Sequence, residues 1–178
     1  RGRHSLAPAR HDHRWNVGDV CACVLLCFTV SHCVSLCLTV SLTVCLSLWR
    51  ATRFPEYISV LEETPRIMDI GCQLPHGALR FYVMGDRGAD HEEVPTEEEC
   101  AQMKAITTEA LNAGALGFTT ARTIKHMAAD GRVTPGYSAH DRELKAIAEG
   151  MREANAGVIE TNLTDPTARE DLAIMRRM

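Results

Sequence analysis

His76 stands between Pro75 and Gly77, just after one apolar stretch. Thr119-Thr120-Ala121-Arg122 closes a second, and Lys125-His126 follows. An imidazole, two hydroxyls and a guanidinium are unusual ends for apolar runs, which more often stop at Gly, Asn or Pro. Such residue types suit either a solvated loop or a strand whose C-terminal end opens onto a polar pocket. In a pocket, Arg122 can hold a substrate carboxylate through two parallel hydrogen bonds. His126 can line the same pocket, and His76 can touch substrate or order a loop. Each also has a plainer reading. His76 can bond neighbouring backbone, Arg122 can form a surface salt bridge, and the two threonines can satisfy strand-end backbone. Arg80 is expected to pair with a local carboxylate, and His91 and His140 to lie at the surface.

Strand-end chemistry needs strands, and from residue 54 onward the chain supplies them with a rhythm. A short helix over residues 55–63 begins with Pro55 and Glu56, as helix starts favour. An apolar stretch, 67–74, reads as a strand, and a second apolar piece, 79–84, stops at Gly85. Residues 86–93 are charged loop. Thr96 with Glu99 three residues later is a capping-box signature, and Glu97-Glu98-Glu99 suits a helix N-terminus. Met103, Ile106, Ala110 and Leu111 then fall on one helical face. Asn112-Ala113-Gly114 closes that helix, and 115–119 reads as a strand. Ser138 can cap the next helix, with Asp141 and Glu143 in its first turn. Its apolar stripe is Leu144, Ile147, Ala148 and Met151. Asn155-Ala156-Gly157 closes it before a strand over 158–163. Asp165-Pro166 opens a third helix, with Leu172 and Met175 facing inward. The closures "LNAGALGF" and "ANAGVIET" repeat a helix–Gly–strand unit.

Strands alternating with helices imply a parallel α/β sheet with right-handed crossovers, either open and doubly wound or part of a (βα)8 barrel. Both folds place functional residues at the C-terminal strand ends. Here those are His76, Thr119 to Arg122, and Thr161-Asn162.

The first third of the chain differs. The 178 residues carry a net charge of −4 with both signs mixed, so no basic stripe points to nucleic acid. Residues 1–19 are polar. His11-Asp12-His13 has metal-ligand spacing, because side chains two apart on a strand share a side. No apolar strand precedes it, and a solvated polar segment is the plainer reading. Residues 20–49 contain no Asp, Glu, Lys or Arg, and hold Cys21, Cys23, Cys27, Cys33, Cys37 and Cys45 among the eight cysteines. The span is long enough to cross a bilayer, with Arg50 and Arg53 on its cytoplasmic side. Its cycling through Val, Ser, Leu, Cys and Thr also matches translated simple-repeat DNA. A buried helix or signal segment is the third option. The irregular cysteine spacing among Val and Leu suits neither zinc nor a disulfide framework. The chain begins at Arg1 and stops at Met178 inside a helical pattern, as a fragment of a longer protein would.

"LPHGALRFYVMGDRGAD" followed by "EALNAGALGFTTARTIKHMAADGRVTPG" resembles the D-aminoacylase branch of the amidohydrolase superfamily, the N-acyl-D-amino-acid deacylases and their relatives. The resemblance covers residues 50–178. It implies a partial domain, about half of a (βα)8 TIM-type barrel, behind the low-complexity apolar segment. It further implies zinc-dependent hydrolysis of a non-peptide C–N bond in a small N-acyl amino acid. Zinc would activate water and polarise the carbonyl, and an aspartate would pass the proton to the leaving nitrogen. Departures are plain. No strand-borne His-x-His precedes Phe54, and the family's Gly-Asn-Cys-Gly loop is missing. Cys72 falls at a core position, and Asn162 stands where characterised deacylases carry a histidine ligand. No metal ligand or catalytic residue is assignable, and the later ligands would lie beyond Met178. The expectation is an inactive fragment of a cytoplasmic hydrolase, with His76, Arg122 and His126 as its substrate contacts. The alternative is a membrane-anchored, non-catalytic α/β ligand-binding module; a pseudoenzyme, hinted at by Asn162, is a third.

Overall fold

Helix α1 (Phe54–Glu63) carries Pro55 in its first turn together with the Glu56 carboxylate, which accepts the Arg53 N–H at 3.3 Å. The computed structural model describes residues 53–127, 131–163 and 168–178. After α1 come β1 (Gln73–Pro75) and α2 (His76–Met84), a short 3-10 helix over Gly85–Ala89, then α3 (Glu97–Asn112) and β2 (Gly117–Arg122). The last elements are α4 (Asp141–Ala154), β3 (Val158–Leu163) and α5 (Ala168–Met175). The readings that fall on residues 1–52, the His-x-His and the apolar segment among them, lie outside the described residues. Among the described residues, no helix is long and apolar enough to cross a membrane.

The three strands form one parallel sheet in the order β1-β2-β3. The fold is mixed α/β, as the alternating pattern implied. Register sets what each face of the sheet carries, because paired residues of parallel strands point to the same side. Leu74, Phe118 and Ile159 form one cross-strand row, and Phe118 is fully buried against the helices. The core behind it is Leu79 and Met84 of α2, Met103, Ala110 and Leu111 of α3, and Leu144, Ile147 and Met151 of α4. The helical periodicity named most of these positions.

Local chemistry fixes the element ends. Thr96 Oγ1 accepts the Glu99 N–H at 3.2 Å, and Glu99 Oε2 accepts the Thr96 N–H at 2.7 Å, the reciprocal capping box expected for α3. At the other end of α4, Asn155 takes the left-handed conformation at φ 50°, and Gly157 follows at φ 89°. That turn delivers the chain directly into β3.

Several boundaries differ from the sequence reading, each for a physical reason. Of the stretch 67–74, only its last two residues enter β1; Ile67 and Met68 are exposed. Pairing begins where β2 arrives, with Leu116 N–H on the Cys72 carbonyl at 2.7 Å, and Asp69 and Gly71 break the run before that. The apolar piece 79–84 is the body of α2, not a separate element. Helix α4 is capped by His140, whose Nδ1 accepts the Arg142 N–H at 3.2 Å. Ser138 instead donates to the His91 carbonyl at 3.0 Å, because Ala139 is drawn into the core and the helix starts only after it. Leu172 is half-exposed rather than inward, while Met175 packs on the core.

Gly117 sits where β2 and β3 come closest. A Cβ there would lie 2.0 Å from the Val158 carbonyl oxygen, which is backbone and has nowhere to go. Gly117→Ala should therefore separate the two strands and cost about 1–3 kcal/mol. A urea titration checks this; an unchanged midpoint would mean that the strands are not in this register.

Candidate functional site

Alternation along β2 sorts the strand-end residues onto two different faces. Phe118, Thr120 and Arg122 turn toward the helices and are buried, whereas Thr119 and Ala121 turn to the other side and are half-exposed.

On the helix side a buried polar chain runs between elements. His76 is the first residue of α2, placed there because Pro75 ends β1 and helix begins at once. Its Nε2 lies 2.8 Å from Glu143 Oε1, and its Nδ1 lies 2.8 Å from Thr120 Oγ1. A carboxylate only accepts, so Nε2 carries the proton; in the neutral ring, Nδ1 then accepts from the Thr120 hydroxyl. The second oxygen of Glu143 takes Arg80 Nη1 at 2.5 Å. Arg80 also donates Nε to the Gly88 carbonyl at 2.9 Å, and Nη2 to the carbonyls of Asp90 at 3.3 Å and Glu93 at 2.5 Å. All four side chains are within 2 % of full burial. The partner of Arg80 is thus Glu143, on α4, rather than a local carboxylate.

A hydroxyl, an imidazole and a carboxylate in line form the arrangement of an activated nucleophile. Access decides against that role here. Gly136 lies over the Thr120–His76 junction so closely that a Cβ would sit 2.9 Å from His76 Nδ1 and 3.3 Å from Thr120 Oγ1. The ring of Phe118 closes the flank, 5.1 Å from the imidazole. No substrate carbonyl reaches Thr120; the chain ties the C-terminal ends of β1 and β2 to α4.

Arg122 has a similar place. Its Nε donates to Asp171 Oδ1 at 2.5 Å and its Nη1 to the Ala139 carbonyl at 3.0 Å. The ion pair that was one of its two expected partners is therefore buried rather than on the surface, and it joins β2 to α5. His126 is exposed beyond the end of β2, its carbonyl accepting the Thr134 N–H at 3.0 Å. The structure does not bring His76, Arg122 and His126 into one accessible pocket. His91 is half-buried, its ring 6.0 Å from that of Tyr137, while His140 is exposed as expected.

The opposite face of the sheet is open and largely polar, with Val158 the exposed apolar residue at its lower end. Gln73, Thr119 and Ala121 are half-buried on it, with Glu160 and Asn162 exposed alongside on β3. Gln73 Nε2 donates to Glu160 Oε2 at 3.0 Å, reaching across β2 where Gly117 has no side chain in the way. Sequence reading named Asn162 and Thr119 on this face and missed Gln73 and Glu160. A period-two count through "VIETNL" and "GFTTAR" in the paired register would have found them.

These residues do not fit zinc. Among the described residues, no three His, Cys, Asp or Glu side chains converge as ligands must. Both nitrogens of His76 are engaged. Burial pushes the Cys72 thiol up, away from the thiolate a metal needs.

Comparison with known proteins finds partial sequence matches. The chain is 35% identical over 72 residues to a D-aminoacylase of Alcaligenes xylosoxydans xylosoxydans, a match covering 40% of this chain and 14% of that protein. It is 28% identical over 137 residues to an N-acyl-D-aspartate deacylase of the same organism, covering 74% and 25%. It is also 40% identical over 65 residues to an uncharacterised protein of Mycobacterium tuberculosis, covering 36% and 11%. The matches therefore span a quarter or less of these relatives. No family model matches the chain, and no solved structure does. The partial matches support an amidohydrolase-like relationship.

Proposed function

We propose that this chain is part of an amide-cleaving hydrolase of the N-acyl-D-amino-acid deacylase kind, its three-stranded sheet forming one arc of a (βα)8 barrel. Most of the weight rests on the 137-residue match to a deacylase, which runs over 74% of the chain. Support also comes from the sheet itself. A parallel sheet normally buries both faces, yet here one face carries Gln73, Thr119, Glu160 and Asn162. In a barrel that face would look inward, toward the reacting amide.

In this reading the substrate's N-acyl group lies against the open face near the C-terminal strand ends. His76 and Arg122 serve it indirectly, by fixing those ends through Thr120, Glu143 and Asp171. His126, exposed next to them, would touch the substrate carboxylate. Zinc, where the parent uses it, would be held by residues outside the described ones, and nothing in the described set supplies the water-activating step. The chain alone should accordingly bind N-acyl-D-amino acids without cleaving them.

Thermal unfolding of the chain with N-acetyl-D- and N-acetyl-L-amino acids, paired with an acetate-release assay in added zinc, tests this. A raised midpoint with the D-compounds and no acetate is the expected result. No shift with any acylated amino acid would overturn the reading.

A further inference from the structure

The open face carries one formal charge among the described residues, on its edge strand β3. Glu160 is exposed on β3, paired in register with Thr119, and its carboxylate is oriented by the Gln73 amide at 3.0 Å. Gln73 is a neutral donor, and no lysine, arginine or histidine among the described residues pairs with Glu160. Asn162 adds one more acceptor oxygen on the same face. One carboxylate among neutral acceptors suits a cation that brings its own N–H donors. Such a set is too poor in ligands for a divalent metal, which takes six or so oxygens.

From this we infer that the face holds a cationic nitrogen, an ammonium or guanidinium group, with Glu160 as its counter-ion. Glu160 lies two residues below Asn162, about 7 Å down the strand from the reacting end. That depth matches an extended lysine or arginine side chain, with its charge at the tip. Joined to the proposed amide chemistry, on which this part rests, the substrates are N-acyl amino acids with basic side chains. Acidic ones are disfavoured, because two like charges on this face would repel. The preference is opposite to the one named for the N-acyl-D-aspartate deacylase that the chain matches over 137 residues.

Calorimetric titration of the whole chain, and of Glu160→Gln, with four probes tests this: N-acetyl-D-lysine, N-acetyl-D-leucine, N-acetyl-D-aspartate and n-butylammonium. Glu160 is exposed, so the variant should fold as the parent does, and its circular dichroism provides the check. The lysine compound should bind at least about tenfold more tightly than the aspartate compound, equivalent to one good charge-assisted contact. Glu160→Gln should bring the two within about threefold and abolish n-butylammonium binding. Acylated amino acids that bind without a basic preference, or with one unchanged in Glu160→Gln, would overturn the charge assignment and leave the amide reading standing. Binding of n-butylammonium through Glu160, with no acylated amino acid bound, would uphold the cation site and overturn the amide reading. Binding of none of the four would overturn both.

Discussion

Glu143→Ala should destabilise the fold by about 3–5 kcal/mol, the cost of leaving one partner of a buried ion pair alone. Arg80 would remain 1% exposed, held by the carbonyls of Gly88, Asp90 and Glu93 but with no charge to answer its own. His76 would lose the acceptor of its Nε2 proton at the same moment. Two buried groups are orphaned by one substitution, so the loss should exceed that of Arg80→Met, which leaves Glu143 its bond from His76. The double variant Arg80→Met, Glu143→Leu should recover much of the deficit, because replacing a buried pair by apolar side chains is often neutral. Urea titrations of the three variants measure this directly. A loss below about 1 kcal/mol for Glu143→Ala would place the cluster among solvated pairs.

Phe118→Ala comes next, at about 3–5 kcal/mol. Phe118 is fully buried on the middle strand, and the core around it comes from β1, α2, α3 and α4. Atoms anchored on several elements cannot collapse together into the space a ring vacates, so a cavity should persist. The imidazole of His76 would lose the edge contact that holds its plane. Amide exchange in β2 should therefore rise along with the global loss. Exchange unchanged at Thr120 would show that the polar chain, not the ring, fixes that strand end.

How much was visible in the sequence follows from how local each cause is. The capping box at Thr96, the apolar stripe of α4 and the Asn155–Gly157 turn depend on residues within one or two turns, and the linear pattern contains them. Strand β1 was overdrawn because its length is set by where β2 begins, more than forty positions later. Glu143 read as a first-turn acid with a favourable dipole position. Its burial depends on Arg80, 63 residues away, and nothing near either residue announces the other. Arg122 was noticed for its chemistry, but which face it takes depends on β2 running through Arg122 rather than stopping at Thr119. A strand that runs three residues further than the pattern suggested carries the guanidinium onto the buried, helix-side face.

The strand order in the sheet is also the order in the chain. Each later strand pairs with the strand made just before it, β2 after α2, the 3-10 helix and α3, and β3 after α4 alone. During translation the sheet can therefore grow by accretion, β2 docking on β1 and β3 on β2 as each leaves the ribosome. The growing end always presents one unpaired edge, and whatever is made next is the first chain that edge meets. Pauses in synthesis just after β3 would leave that edge open longest, and would be the moments of greatest risk for association between nascent chains.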